Sequence, residues 1–254
     1  MISKKQIKSV RCLEQIKYRR REGLFVAEGP KLVDELLAAK FVPKAIYATQ
    51  EWESRYRKVL EDSGRLNNIS DRELCSLSLQ QHPNQVIALF PQPEYALPDD
   101  LGMHGLVLAL DGIQDPGNMG TICRIADWFG IEDIICSRNT VDVYNPKAIQ
   151  ATMGAVARIR IHYCDLEEYL SGAISQGIPV YGTFLDGNNI YNTELSTNGI
   201  VVMGNEGNGI SSEISSRVSH RLLIPNFPIG RITTESLNVA VATAITVAEF
   251  RRRE

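Results

Sequence analysis

The chain has 254 residues, 44% of them hydrophobic and 22% charged, enough apolar material for one large domain or two smaller ones and too much for wholesale disorder. Lys and Arg number 27 against 30 Asp and Glu, a formal charge of -3, which excludes a uniformly basic nucleic-acid coat but not a local basic footprint. The five cysteines form no close CxxC pair and the four histidines are scattered, so a disulfide-stapled secreted domain is excluded and nothing points to a metal.

Residues 1–21 carry eight Lys or Arg (4, 5, 8, 11, 17 and 19–21) against the single acid Glu14. Such an arm suits phosphate, and its bland alternative is a solvated helix face. It lacks the apolar block of a secretory signal, and no apolar run is long enough to span a bilayer. A soluble, cytoplasmic protein is expected. LFVAEG at 24–29 reads as a strand and turn, and PKLVDELLAA at 30–39 as a helix opened by Pro30, where the first amide needs no acceptor. AIYA (45–48) and VIALF (86–90) are further strands, and Ser70 with Glu73 predicts a capping box for a helix from Asp71. PQPEYALPDDLG, with three prolines, reads as a linker. It divides an N-terminal domain, residues 1–98, from a C-terminal domain, residues 99–254.

The second half alternates strands and helices. GLVLAL, EDIIC, ARIRIHY, IPVYGTF, GIVVMG and HRLLIP read as strands; NMGTICRIADWFG and SLNVAVATAITVAEF read as helices. Asp165 and Glu168 predict a capping box for a helix through Ile174. The pattern is that of an α/β domain.

Chemistry concentrates in three segments. In DGIQDPGNMGTICRIADWFG (111–130), Asn118 can lock a turn, and Arg124, expected near the start of the helix, can meet phosphate or carboxylate. In VVMGNEGNGIS (201–211), three glycines around Glu206 follow an apolar strand. They do not spell GxGxxG, which weighs against a nicotinamide dehydrogenase, but such a loop can offer backbone groups to an adenosine-containing ligand. In LLIPNFPIGRITTESLNVAVATAI (222–245), a Pro- and Gly-bearing loop leads to Ser236-Leu237-Asn238 at a helix start. Each segment alone also reads as ordinary turn or capping chemistry.

Together, in order and spacing, the three segments resemble the motifs of the SpoU family within the knotted SPOUT methyltransferases, and FVAEGPKLVDELL resembles the opening of that family's RNA substrate-binding domain. The resemblance implies an N-terminal α/β domain like ribosomal protein L30e and a C-terminal α/β SPOUT domain with a deep trefoil knot. It implies a homodimer in which the Arg of one subunit reaches the cofactor of the other, S-adenosylmethionine as cofactor, and methyl transfer to ribose 2'-oxygen in RNA, rRNA ahead of tRNA. By position, Arg124, Asn118, Glu206, Ser236 and Asn238 are the implied catalytic set. Met203, Gly204, Gly207, Leu223, Ile224, Gly230, Leu237 and Ala240 are the implied cofactor contacts. Two positions depart from the family pattern: Ala240 stands where a hydroxyl is usual (SLNVA for SLNVS), and Thr152 where Ser is common. The competing reading is a non-catalytic RNA-binding or ribosome-assembly factor on the same fold.

Overall fold

The computed structural model describes residues 2–54, 64–228, 231–232 and 234–253. The chain divides into two compact units, Met1–Glu94 with Asp142–Arg158, and Tyr95–Val141 with Ile159–Glu254.

In the first unit the basic arm is helical: α1 (Lys4–Arg11) and α2 (Ile16–Glu22), joined by a 3-10 turn. Ser3 and Gln6 cap α1 reciprocally, and α2 stops at Gly23, whose φ of 61° closes the helix in the left-handed region. Lys4, Lys5, Lys8, Arg11, Lys17, Arg20 and Arg21 are exposed. Arg19 is not a surface phosphate contact, contrary to its place in the basic run: only 2% exposed, it donates to Asp142 at 2.9 and 2.7 Å and to the carbonyls of Leu13 and Glu14. A mixed sheet follows in the order β1-β4-β2-β3, from β1 (Leu24–Glu28), β2 (Ala45–Ala48), β3 (Leu66–Asn68) and β4 (Val86–Pro91). Pro30 opens α3 (Pro30–Ala38), and the Ser70–Glu73 capping box starts α4 (Asp71–Leu77), both as the sequence predicts. The core on one sheet face joins Val26, Ile87 and Leu89 to Val10, Leu13, Leu74 and Leu77; fully burying such a side chain gains roughly 1.5–3 kcal/mol.

The second unit is built on β5 (Leu106–Asp111), α5 (Pro116–Trp128) and β6 (Asp133–Ser137). The chain then contributes residues 142–158, with α6 (Pro146–Thr152), to the first unit. It returns as β7 (Arg160–Cys164), α7 (Leu166–Ser175), β8 (Val180–Asn189), β9 (Gly199–Gly204), α8 (Ser212–Ser215), β10 (His220–Leu223) and α9 (Val239–Arg252). Asp165 accepts the Glu168 amide at 3.3 Å, the N-cap half of the expected box. All strand pairings in this sheet are parallel, in the order β10-β8-β9-β5-β6-β7. The central strands are accordingly continuous apolar runs, buried on both faces. From β5 the chain winds outward through β6 and β7 on one side, whereas β9 returns to β5's other edge. Parallel α/β sheets bind ligands at such a reversal, beyond the carboxyl ends of the strands. Here those ends are Asp111-Gly112 and Gly204-Asn205.

Candidate active site

The glycine loop is tied down by side chains at both ends. The buried Asp111 carboxylate accepts the Ser211 amide and hydroxyl, both at 2.7 Å. Asn205 donates from Nδ2 to the Gly112 carbonyl at 2.7 Å, and its Oδ1 accepts the amides of Gly207 and Asn208 at 2.9 and 3.0 Å. Asn205 and Gly209 also exchange backbone bonds, folding the loop on itself. Only glycine fits at 204, where a Cβ would lie 2.3 Å from the backbone of Gly209 and Ile210.

The three sequence segments converge on Asn118. Asp115 caps α5 by accepting the Asn118 amide at 2.7 Å. The Asn118 side chain donates to Glu206 Oε1 at 2.9 Å, and its Oδ1 accepts from Asn238 Nδ2 at 2.9 Å. Asn238 in turn caps α9, its Oδ1 accepting the amides of Ala240 and Val241 at 3.0 and 3.3 Å. The orientation of both amides follows from the carboxylate at one end: Glu206 only accepts, so Asn118 must present Nδ2 to it and Oδ1 to Asn238, which keeps Oδ1 for the helix.

Beside this chain of bonds lies a cavity of 420 Å³, within the roughly 300–1,000 Å³ range of small-ligand sites. Met203, Gly204, Glu206 and Gly207 line it from β9 and the glycine loop, Leu223 and Ile224 from β10, and Ser236 and Leu237 from the approach to α9. Ala240 is buried in the first turn of α9, its amide held by Asn238. Gly230 lies outside the described residues. Arg124 is set apart: it is exposed and its guanidinium has no hydrogen bond or ion pair among the described residues. The helix begins at Pro116, so Arg124 lies about two turns into it rather than near its start, and roughly 120° around the axis from Asn118.

Sequence reasoning missed three contributions. Asn205 and the Asp111–Ser211 tie shape the loop, and an Asn two residues before a Gly is a turn signal that marks the first. Thr183, Phe184 and Leu185 of β8 also line the cavity; nothing local distinguishes them from other strand residues.

The fold and site define a parallel α/β protein with an adenosine-sized ligand cavity at the switch point of its sheet. Residues 105–248 match the SpoU rRNA Methylase family, and residues 4–88 match the MRM3-like substrate binding domain. The chain belongs to the SpoU rRNA methylase family. A relative from Bacillus subtilis, the 23S rRNA (guanosine(2553)-2'-O)-methyltransferase RlmP, is 30% identical over 97% of this chain and 96% of its own length. Among solved structures, one from Porphyromonas gingivalis, ascribed to the TrmH family of RNA methyltransferases, is 40% identical with a TM-score of 0.89, covering 100% of both chains. An AdoMet-bound rRNA methyltransferase from Sinorhizobium meliloti is 29% identical with a TM-score of 0.88, covering 100% of this chain and 96% of its own.

Proposed function

We propose that the protein methylates a ribose 2'-oxygen of rRNA, using S-adenosylmethionine held in the cavity beside Asn118. The observation that carries this reading is the meeting of Asn118, Glu206 and Asn238, 88 and 120 residues apart in sequence, at the rim of a site lined by a glycine loop. The residues fit such a cofactor. Met203, Leu223, Ile224 and Leu237 offer apolar surface to an adenine ring, and the backbone of the Gly204–Gly209 loop offers donors and acceptors to its polar edges. When bound, the cofactor supplies an electrophilic methyl carbon.

The chain's own residues position the acceptor. Asn118 and Glu206 form a fixed polar rim, and Ser236 and Asn238 order the start of α9 against it. Arg124 holds the acceptor nucleotide: its guanidinium donates hydrogen bonds and serves by anchoring phosphate and stabilising charge that develops on the ribose oxygen. Its distance around α5 from Asn118 fits action in the site of a second subunit. The packed helices α5 and α9 leave Trp128 84% and Val241 49% exposed, apolar surface suited to a homodimer. Residues 1–98, joined by the 142–158 segment that belongs to the first unit, serve as an L30e-like RNA-binding domain, and the rest of 99–254 serves as the methyltransferase domain, with a trefoil knot around the cofactor. An rRNA substrate places the protein in the cytoplasm.

The test is transfer of labelled methyl from S-adenosylmethionine to unmodified total RNA and to ribosomal particles, followed by nucleoside mass spectrometry. A 2'-O-methylnucleoside in the rRNA fraction is expected. A base-methylated product, a tRNA product, or cofactor binding with no transfer to RNA or particles would each overturn the reading, the last in favour of a non-catalytic RNA-binding factor.

A further inference from the structure

A second cleft, of 660 Å³, lies wholly within the first unit, between the end of β1 with the residue 79–82 segment and one face of α6. Its walls are held rigidly. The ion pair of buried Arg19 with half-buried Asp142 and the Phe25–Tyr144 ring contact at 5.1 Å fix the chain leading into α6. Beyond the helix, Gly154 at φ 98° passes so close to α3 that a Cβ would meet the Glu35 side chain at 2.7 Å.

The cleft sets apolar side chains beside amide and charged groups. Val26 and Leu79 supply an apolar floor. Beside them Glu28, 5% exposed, accepts the Ser78 hydroxyl and the Leu79 amide, and burial pushes its carboxyl above the usual range despite those two bonds. At the rim Gln80 donates from Nε2 to Gln150 Oε1 at 2.9 Å. That bond leaves Gln80 Oε1, an acceptor, and Gln150 Nε2, a donor, without a partner among the described residues, one group of each kind for a base edge to meet. Lys147, exposed on the same face of the cleft, adds a cation for the attached phosphate.

We propose that this cleft receives an unpaired base of the substrate RNA, read by Gln80 and Gln150, with Lys147 on its phosphate. Sequence-specific RNA recognition draws on such splayed-out bases, because the grooves of paired RNA hide base edges. The inference rests on the reading that the protein methylates rRNA, and it makes the first unit a selector of the RNA rather than a uniform phosphate clamp.

The experiment crosslinks the full-length protein to 23S rRNA transcribed with 4-thiouridine or 6-thioguanosine and locates the adducts by peptide mass spectrometry. Adducts on residues 79–82 or 146–151 are expected. In parallel, Gln80→Ala and Gln150→Ala each raise the KM for RNA about three- to tenfold, the effect of one lost hydrogen bond, with S-adenosylmethionine Kd unchanged. Crosslinks confined to other segments, or both variants with the parent KM, would overturn the proposal. Failure of the methyltransferase reading is separately visible as an inactive parent protein, which leaves the crosslinking result legible.

Discussion

Asn118 uses both ends of one amide, giving to Glu206 and taking from Asn238. Its replacement by Asp keeps the shape but turns the donor facing Glu206 into a second carboxylate oxygen at hydrogen-bond distance. Two like charges so close drive one carboxyl to take up a proton. Asn118→Asp should therefore lose transfer by about 10- to 100-fold at neutral pH, and recover relative to the parent as the pH is lowered and a shared proton restores the link. A pH series of single-turnover rates checks this; a deficit that does not change with pH would mean the bond to Glu206 has no part in the reaction. Arg19 is a different lesson. Its neighbours Arg20 and Arg21 are exposed as a basic run suggests, but Arg19 faces Asp142, 123 positions along the chain. No local pattern carries that pairing. Arg19→Ala should cost about 3 kcal/mol by taking the guanidinium from a half-buried carboxylate and two carbonyls, whereas Arg20→Ala should stay within about 0.5 kcal/mol; urea unfolding of both variants measures the contrast.

At the scale of elements, what was legible is what local chemistry dictates. Pro30, the Ser70–Glu73 box and the runs of β5, β6 and β9 lie where the sequence puts them, because caps and continuous apolar strands are decided within a few residues. The three motif segments were legible as a set, and Asn118, Glu206 and Asn238 do meet. Among the elements that escaped, two show why. The three residues of β3 and the single-sided α6 have no periodicity of their own and exist by packing on β2 and β1. The end of α9 carries a clamp that no sequence pattern announces: Arg253 donates to the carbonyls of Ile190 and Tyr191 at 2.8 and 3.0 Å, and Glu249 accepts from both Arg252 and Arg253. The Arg252 hydrogen bonds, joined by those of Arg253 against the cost of burial, hold the Glu249 carboxyl at about 2, below its ordinary 4.5. A depressed carboxyl stabilises the fold above its ordinary value, and that contribution is lost as the pH falls from 4.5 toward 2. Glu249→Gln should lower the urea midpoint at pH 7 and converge with the parent in that acidic window. Equal midpoints at pH 7 would remove the clamp from the stability of α9.

At the scale of the whole molecule, the placement of Arg124 decides how many chains make one site. Among the described residues the cavity proposed for the cofactor is lined by one chain, from β8, the glycine loop, β10 and the approach to α9, but Arg124 stands about 120° around α5 from Asn118, whose cluster borders it. If it serves a neighbouring subunit, then two defects on different chains must complement each other. Arg124→Ala keeps the cavity and loses the guanidinium. Leu237→Asp, at a half-exposed position, places a charge in the cavity wall and keeps the guanidinium. Each homodimer should bind RNA and transfer no methyl groups. A heterodimer purified through two different tags should regain about half of the parent activity, since one of its two sites unites an intact cavity with an intact Arg124, as a two-fold symmetric interface requires. Were Arg124 to act within its own chain, neither site of that heterodimer would be whole and it would be as inactive as its parents.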